Sequence, residues 1–275
     1  LEMGVVNTAT VSVGDLFVGA LIPGLILVGL YLVWILLVAR LKPQYAPAIT
    51  SKGASITKLV RALLPPFLLI ALVLGSILLG AATPTEAAGV GAVGALLLAL
   101  LRGQMDWLKL HDIGLSTMRI TSMVFLILIG AAVFTLVFRG FGGEELVQGF
   151  FERMNLGPQG AMLLVMIVIF LLGFILDFIE ITFVVVPIVG PILLAMGFDP
   201  IWFGIMLAVN LQTSFLTPPF GFALFYLRGV APKTVTTGSI YKGVIPFVAL
   251  QIGLLALLWS FPDLVTWLPN ALRSG

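Results

Sequence analysis

Of the 275 residues, 60% are apolar and 9% charged, and the formal net charge is +2. Soluble domains are near half apolar and about a quarter charged, so this chain needs lipid as a second apolar solvent, which excludes an ordinary soluble enzyme, a disordered tail and a nucleic-acid binder with a basic face. With no cysteine and one histidine, His111, the chain also lacks the side chains for disulfides, thiolate or His-rich metal sites and cysteine nucleophiles.

A membrane-crossing helix needs about 20 mainly apolar residues. Residues 15–39 form the first such run, closed by Arg40 and Lys42 and followed by a polar linker. The second run, 63–81, stops at Thr83-Pro84-Thr85-Glu86. Thr83 there suits a helix N-cap, Pro84 the first helical position and Glu86 the return partner of a capping box. Thr83, Thr85 and Glu86 are also candidates for shaping a transport pathway. The third run carries Gly89, Gly91 and Gly94, which permit close helix approach, and ends at Leu101. The fourth spans 117–138; His111 reads as a loop residue before it, and Arg119 as a cation snorkelling to the interface. Residues 144–155 have the pattern of an interfacial amphipathic helix. Residues 161–196 are apolar except at Asp177 and Glu180, 201–226 are apolar but broken at Thr217-Pro218-Pro219, and 243–261 form the last run. Continuous rather than alternating apolar runs argue against a β-barrel.

The chain therefore reads as an all-α polytopic membrane protein in five stretches. Residues 1–62 hold the first transmembrane helix and a cytoplasmic linker, and 63–138 hold transmembrane helices around the Thr-Pro-Thr-Glu break. Residues 139–159 form an external amphipathic segment, 160–230 a re-entrant hairpin and a Pro-broken helix, and 231–275 the last transmembrane helix and an external tail.

Basic loops mark the cytoplasmic side. Arg40, Lys42, Lys52, Lys58 and Arg61, then Arg102, Lys109 and Arg119, then Arg228, Lys233 and Lys242 fall in three such stretches; only Arg139, Arg153 and Arg273 of the 14 basic residues do not. Placing these stretches inside puts both ends of the chain outside. The legs 161–176 and 182–196 are each about 15–16 residues, roughly 23 Å. That is short of a hydrocarbon core of roughly 30 Å. The tip Asp177-Phe178-Ile179-Glu180 then lies at membrane depth, in a hairpin that enters and leaves on the outer side. Two full crossings joined by an ordinary loop satisfy the same loop charges.

Polar backbone at membrane depth persists only inside protein or along a water-filled cavity. Pro218 and Pro219 lack N–H groups, so carbonyls near Ser214 and Phe215 are expected to lose helical partners. With the hydroxyls of Thr213, Ser214 and Thr217 and the Asn210 amide they make an all-oxygen shell suited to Na⁺, beside half-helix ends of the kind transporters use. A Pro kink satisfied by its neighbours is the plainer alternative. Intramembrane carboxylates are functional candidates by default, and Asp177 and Glu180 share a helical face. No nucleophile-elbow or metalloprotease motif is present, so the chain does not read as an enzyme.

Ala81-Ala82-Thr83-Pro84-Thr85-Glu86-Ala87-Ala88, Leu176-Asp177-Phe178-Ile179-Glu180-Ile181, and Asn210-Leu211-Gln212-Thr213 through Thr217-Pro218-Pro219-Phe220-Gly221 together resemble the large membrane subunit of TRAP (tripartite ATP-independent periplasmic) transporters, in the mannitol/chloroaromatic-like branch. The resemblance implies an elevator-type Na⁺ symporter for small organic acids in the bacterial inner membrane. It also implies two partners, a small four-helix membrane subunit and a periplasmic binding protein. Asp177, Glu180, Thr182, Asn210, Thr213, Ser214, Thr217, Pro218 and Gly221 then form the Na⁺ and substrate site, with Na⁺ as coupling ion and no other cofactor. The family's first hairpin and first broken helix have no counterpart here, so a C-terminal portion is expected. Rival readings are a dicarboxylate elevator symporter without a binding protein and a non-transporting membrane scaffold.

Overall fold

A computed structural model describes residues 11–45, 56–218, 221–232 and 234–273, and every regular element among them is helical. Lys52, Pro219, Phe220 and Lys233, which figure in the sequence reading, lie outside the described residues. Among the described residues six helices are long and apolar enough to cross a bilayer, and the chain is an all-α polytopic membrane protein.

The helices are α1 (Val13–Leu41), α2 (Ile56–Leu78), α3 (Pro84–Leu101), α4 (Trp107–Gly140), α5 (Gly143–Met154) and α6 (Gly157–Leu172). They continue with α7 (Phe178–Glu180), a π segment (Ile181–Val185), α8 (Val186–Ala195), α9 (Pro200–Leu216), α10 (Phe222–Val230), α11 (Thr237–Ser260) and α12 (Asp263–Arg273). The described residues divide into two compact units, a smaller one of 12–18 and 32–120 and a larger one of 19–31 and 121–273.

In the smaller unit α2 packs on α3. Glycine makes the contact close: a Cβ on Gly91 would lie 3.2 Å from Val73, and one on Gly94 would overlap Leu69, whereas Gly89 faces open space. Thr83 caps α3 through a capping box. Its N–H donates to Glu86 Oε2 at 2.8 Å and its Oγ1 accepts from the Glu86 N–H at 3.3 Å. The sequence reading of α4 needs correction, because the helix begins at Trp107 rather than near 117. Asp106 Oδ1 accepts from the Lys109 N–H at 2.8 Å and starts the helix early. His111 is thus an exposed helical residue and not part of a loop.

The larger unit is organised around α9, which packs against α6, α10, α11 and α12. Ten of its 17 residues are buried, the pattern of a helix enclosed by protein rather than lipid. Trp202 Nε1–H donates to Leu258 O of α11 at 2.9 Å, and a Cβ on Gly19 of α1 would lie 2.8 Å from Ile201. Beyond α11 the chain does not remain a tail: Asp263–Arg273 form α12, with Val265 and Pro269 buried.

α5 and α6 meet at an angle of 117°. The next turn also differs from expectation. α6 ends at Leu172, the chain turns through 173–177, and Phe178–Ala195 is then helical throughout. Asp177 Oδ1 accepts the Phe178 N–H at 2.7 Å, so Asp177 is the N-cap and Glu180 belongs to the first helical turn instead of the tip. Pro187 has no N–H to continue the ladder. The Val186 N–H bonds back five residues to Ile181 O, which produces the π segment.

Candidate functional site

The C-terminal half of α9 is the only place among the described residues where buried polar side chains cluster: Asn210, Thr213 and Ser214. Asn210 Nδ2 donates to Met166 O of α6 at 2.8 Å. Thr213 Oγ1 donates to Val209 O at 2.8 Å, Ser214 Oγ to Leu211 O at 2.8 Å and Thr217 Oγ1 to Thr213 O at 2.7 Å. Each hydroxyl spends its proton on a preceding carbonyl and keeps its lone pairs. These oxygens therefore present acceptors only, as a cation requires.

Pro218 makes the break. The residue before a proline is pushed out of the helical region, and Thr217 is extended at φ −91°, ψ 129°. Ser214 O loses the i+4 helical partner that Pro218 cannot supply, but it is not left free: it accepts the Thr217 N–H, three residues on, at 3.0 Å. The Gly221 N–H then donates to Thr217 O at 3.1 Å. A Cβ on Gly221 would lie 2.9 Å from Phe215 O and 3.1 Å from Thr217 O, so only glycine lets the chain fold back over the end of α9.

The turn at 173–177 rests on this break. A Cβ on Gly173 would overlap Ser214 Oγ and Cβ, and the rings of Phe178 and Phe215 meet edge to face with centroids 6.1 Å apart. Asp177 lies between Gly173 and Phe178 in sequence and is half-buried, as is Glu180. Thr182 Oγ1 donates to Phe178 O at 2.7 Å, one turn into the second leg. Thr83, Thr85 and Glu86 belong to the smaller unit, where Thr83 and Glu86 bond to each other. Gly173 and the Phe178–Phe215 contact were not singled out from the sequence. A glycine four residues before Asp177, an acid within an apolar run, was the available signal.

A cavity of about 630 Å³ opens between α6, α9 and α11, lined by Leu163, Met166, Phe170, Met206, Leu255 and Trp259, with Asn210 at its wall. Its lining carries no Lys, Arg or His, so an organic anion there would meet only neutral donors such as Gln159 and Ser260. Among the described residues no three His, Cys, Asp or Glu side chains cluster as they would around a transition metal.

Residues 3–264 match the family described as tripartite ATP-independent periplasmic transporter, DctM component. The chain is similar to the C4-dicarboxylate TRAP transporter large permease protein of Pseudomonas aeruginosa, at 30% identity over 98% of this chain and 63% of that protein. It resembles the sialic acid TRAP transporter large permease protein of Vibrio cholerae at 29% identity, over 72% of this chain and 46% of that one. For the 2,3-diketo-L-gulonate TRAP transporter large permease protein of Escherichia coli the figures are 27% identity, 70% and 45%. The chain spans about half the length of the curated relatives it matches. With the match running over nearly all of its helices, the chain belongs to the DctM component family of tripartite ATP-independent periplasmic transporters.

Proposed function

We propose that the chain is a large-subunit portion of a Na⁺-coupled symporter that imports small organic acids across the bacterial inner membrane. The carrying observation is the seating of the 173–177 turn on the broken end of α9, through Gly173 on Ser214 and Phe178 on Phe215. A cation held by the acceptor-only oxygens of Thr213, Ser214 and Thr217, with Asp177, Thr182 and Asn210 beside them, would bind turn and break to each other. Pro218 and Gly221 shape the opening, and Glu180 and Asp177 supply negative charge at its edge. Na⁺ suits this set because its ligands are hard neutral and anionic oxygens. Substrate affinity then depends on Na⁺, because only the ordered turn completes the organic-acid site.

α6 has 16 residues and is about 24 Å long. The shortness of this first leg favours a re-entrant hairpin entered from the outer side, while the second leg, Phe178–Ala195, is itself one of the six helices long and apolar enough to cross. The basic loops favour periplasmic chain ends. The hairpin and broken helix would move together as an elevator. The relatives are named for sialic acid, C4-dicarboxylate and diketogulonate transport, all organic acids. A periplasmic binding protein delivers the substrate, and a small membrane subunit completes the assembly. The mannitol/chloroaromatic-like branch rests on the sequence motifs alone.

Uptake of a small organic acid into proteoliposomes holding the assembled transporter tests the reading. Thr217→Val removes one cation ligand and keeps the shape, so half-saturation by Na⁺ should rise about ten-fold, as expected for one lost charge-assisted contact. Unchanged Na⁺ dependence would remove Thr217 from the site. Uptake needing no binding protein would select the dicarboxylate-type alternative.

A further inference from the structure

Among the described residues, three buried side-chain polar atoms make no hydrogen bond: the Tyr31 hydroxyl and both amide atoms of Gln251. They sit on two helices in contact. Tyr31 of α1 packs edge to face on Phe247 of α11, with ring centroids 5.1 Å apart. Gln251 follows Phe247 by one helical turn on the same stripe of α11. That stripe is the buried one: Gln251 and Leu258 are 0% exposed and Leu254 is 1% exposed. The neighbouring residue Ile252 lines the same cavity as Asn210, and α11 packs on α9.

A phenol and a primary amide can each donate to and accept from the other. Buried polar groups nearly always find partners, and in a membrane span an unpaired amide is costlier still. Leucine would satisfy this position in α11 without that cost. Unpaired polar groups on two touching helices, one packed on Phe247 and the other one turn along from it, are explained if they pair in another arrangement.

We propose that Tyr31 and Gln251 are positioning residues for the transport unit, joined by a hydrogen bond in a second arrangement of α1 on α11 and separated in the arrangement described here. The purpose of the pair, though not its geometry, rests on the transporter reading. Forming the bond stabilises the second arrangement, and breaking it releases α11, with α9 beside it, to return.

The chain has no cysteine, so spin labels can be introduced cleanly. Val28→Cys and Ile252→Cys place them on exposed positions of the same two helices. Distances between the labels are measured on the full chain in lipid nanodiscs. Two distance populations are expected. Tyr31→Phe and Gln251→Met should each lower the second population about five-fold, the worth of one hydrogen bond. The double variant should fall no further than either single one. A single population in the parent, populations the substitutions do not move, or losses that multiply would each overturn the pairing. Gln251→Leu replaces Gln251→Met if the latter lowers folded yield. Absence of Na⁺-driven uptake in the parent assembly would fail the transporter reading while leaving the distance result intact. Uptake with unmoved distances would fail the pairing alone.

Discussion

Gly173→Ala tests how the hairpin turn meets α9. The added methyl would overlap Ser214 Oγ and Cβ and come within 3.4 Å of Ile169 O. A rotamer change moves the hydroxyl but not the Cβ, which is fixed to a buried helix. The turn must therefore lift away, at a cost of about 1–3 kcal/mol for overpacking. Ser214→Gly deletes both obstructing atoms. By itself it loses the 2.8 Å bond to Leu211 O, worth about 1 kcal/mol. It also places glycine in a helix, at about 0.5–1 kcal/mol. In the double variant the new methyl occupies the vacated space. The pair should then cost no more than Ser214→Gly alone, a coupling of about 1–3 kcal/mol. Unfolding of the purified chain in mixed micelles by added SDS, followed by far-UV circular dichroism, measures all four proteins. Additive losses would refute the seating of the turn on α9 and with it the geometric basis of the site.

Thr83→Ala removes the cap of α3 and should cost about 1 kcal/mol, read as faster amide exchange over the first turn from Pro84, with Thr83→Ser restoring protection. Asp106 gives a pH dependence outside the membrane. The Lys109 backbone N–H, and then its ammonium, hold the Asp106 carboxyl below its ordinary range. A depressed folded-state pKa contributes stability that is complete above the ordinary carboxylate range and is lost as pH falls through the depressed value. The Leu110 amide is bonded to Asp106 O at 3.0 Å. Its protection factor, exchange taken relative to the unstructured-peptide rate at each pH because acid itself slows amide exchange, should fall on acidification, and Asp106→Asn should abolish that acid step.

Much of the fold is legible in the sequence because lipid demands long apolar runs, and the capping box at Thr83 is visible in its residue types alone. The misread places are those where local hydrogen bonding outweighs hydropathy. Asp106 starts α4 about ten residues before its apolar run begins, and Asp177, an acid taken for a turn tip, caps a helix. Pro187 converts the turn before it to π geometry, and its effect depends on the Ile181 carbonyl that the shifted ladder reaches. At the site, the polar set on α9 can be picked out by residue type at membrane depth. Its packing partner Gly173 cannot, since a glycine's role lies in which side chain approaches it. Gln251 was open to the same rule that singled out Asp177, as the one amide in the 24-residue α11.

The most direct test of the central claim is hydrogen–deuterium exchange of the chain in lipid nanodiscs, in Na⁺ and in K⁺ at equal ionic strength. If Na⁺ bridges the turn and the broken helix, Na⁺ will slow exchange across 173–182 and 210–218 and leave α3 unchanged. Identical exchange in the two salts over both segments would contradict the account.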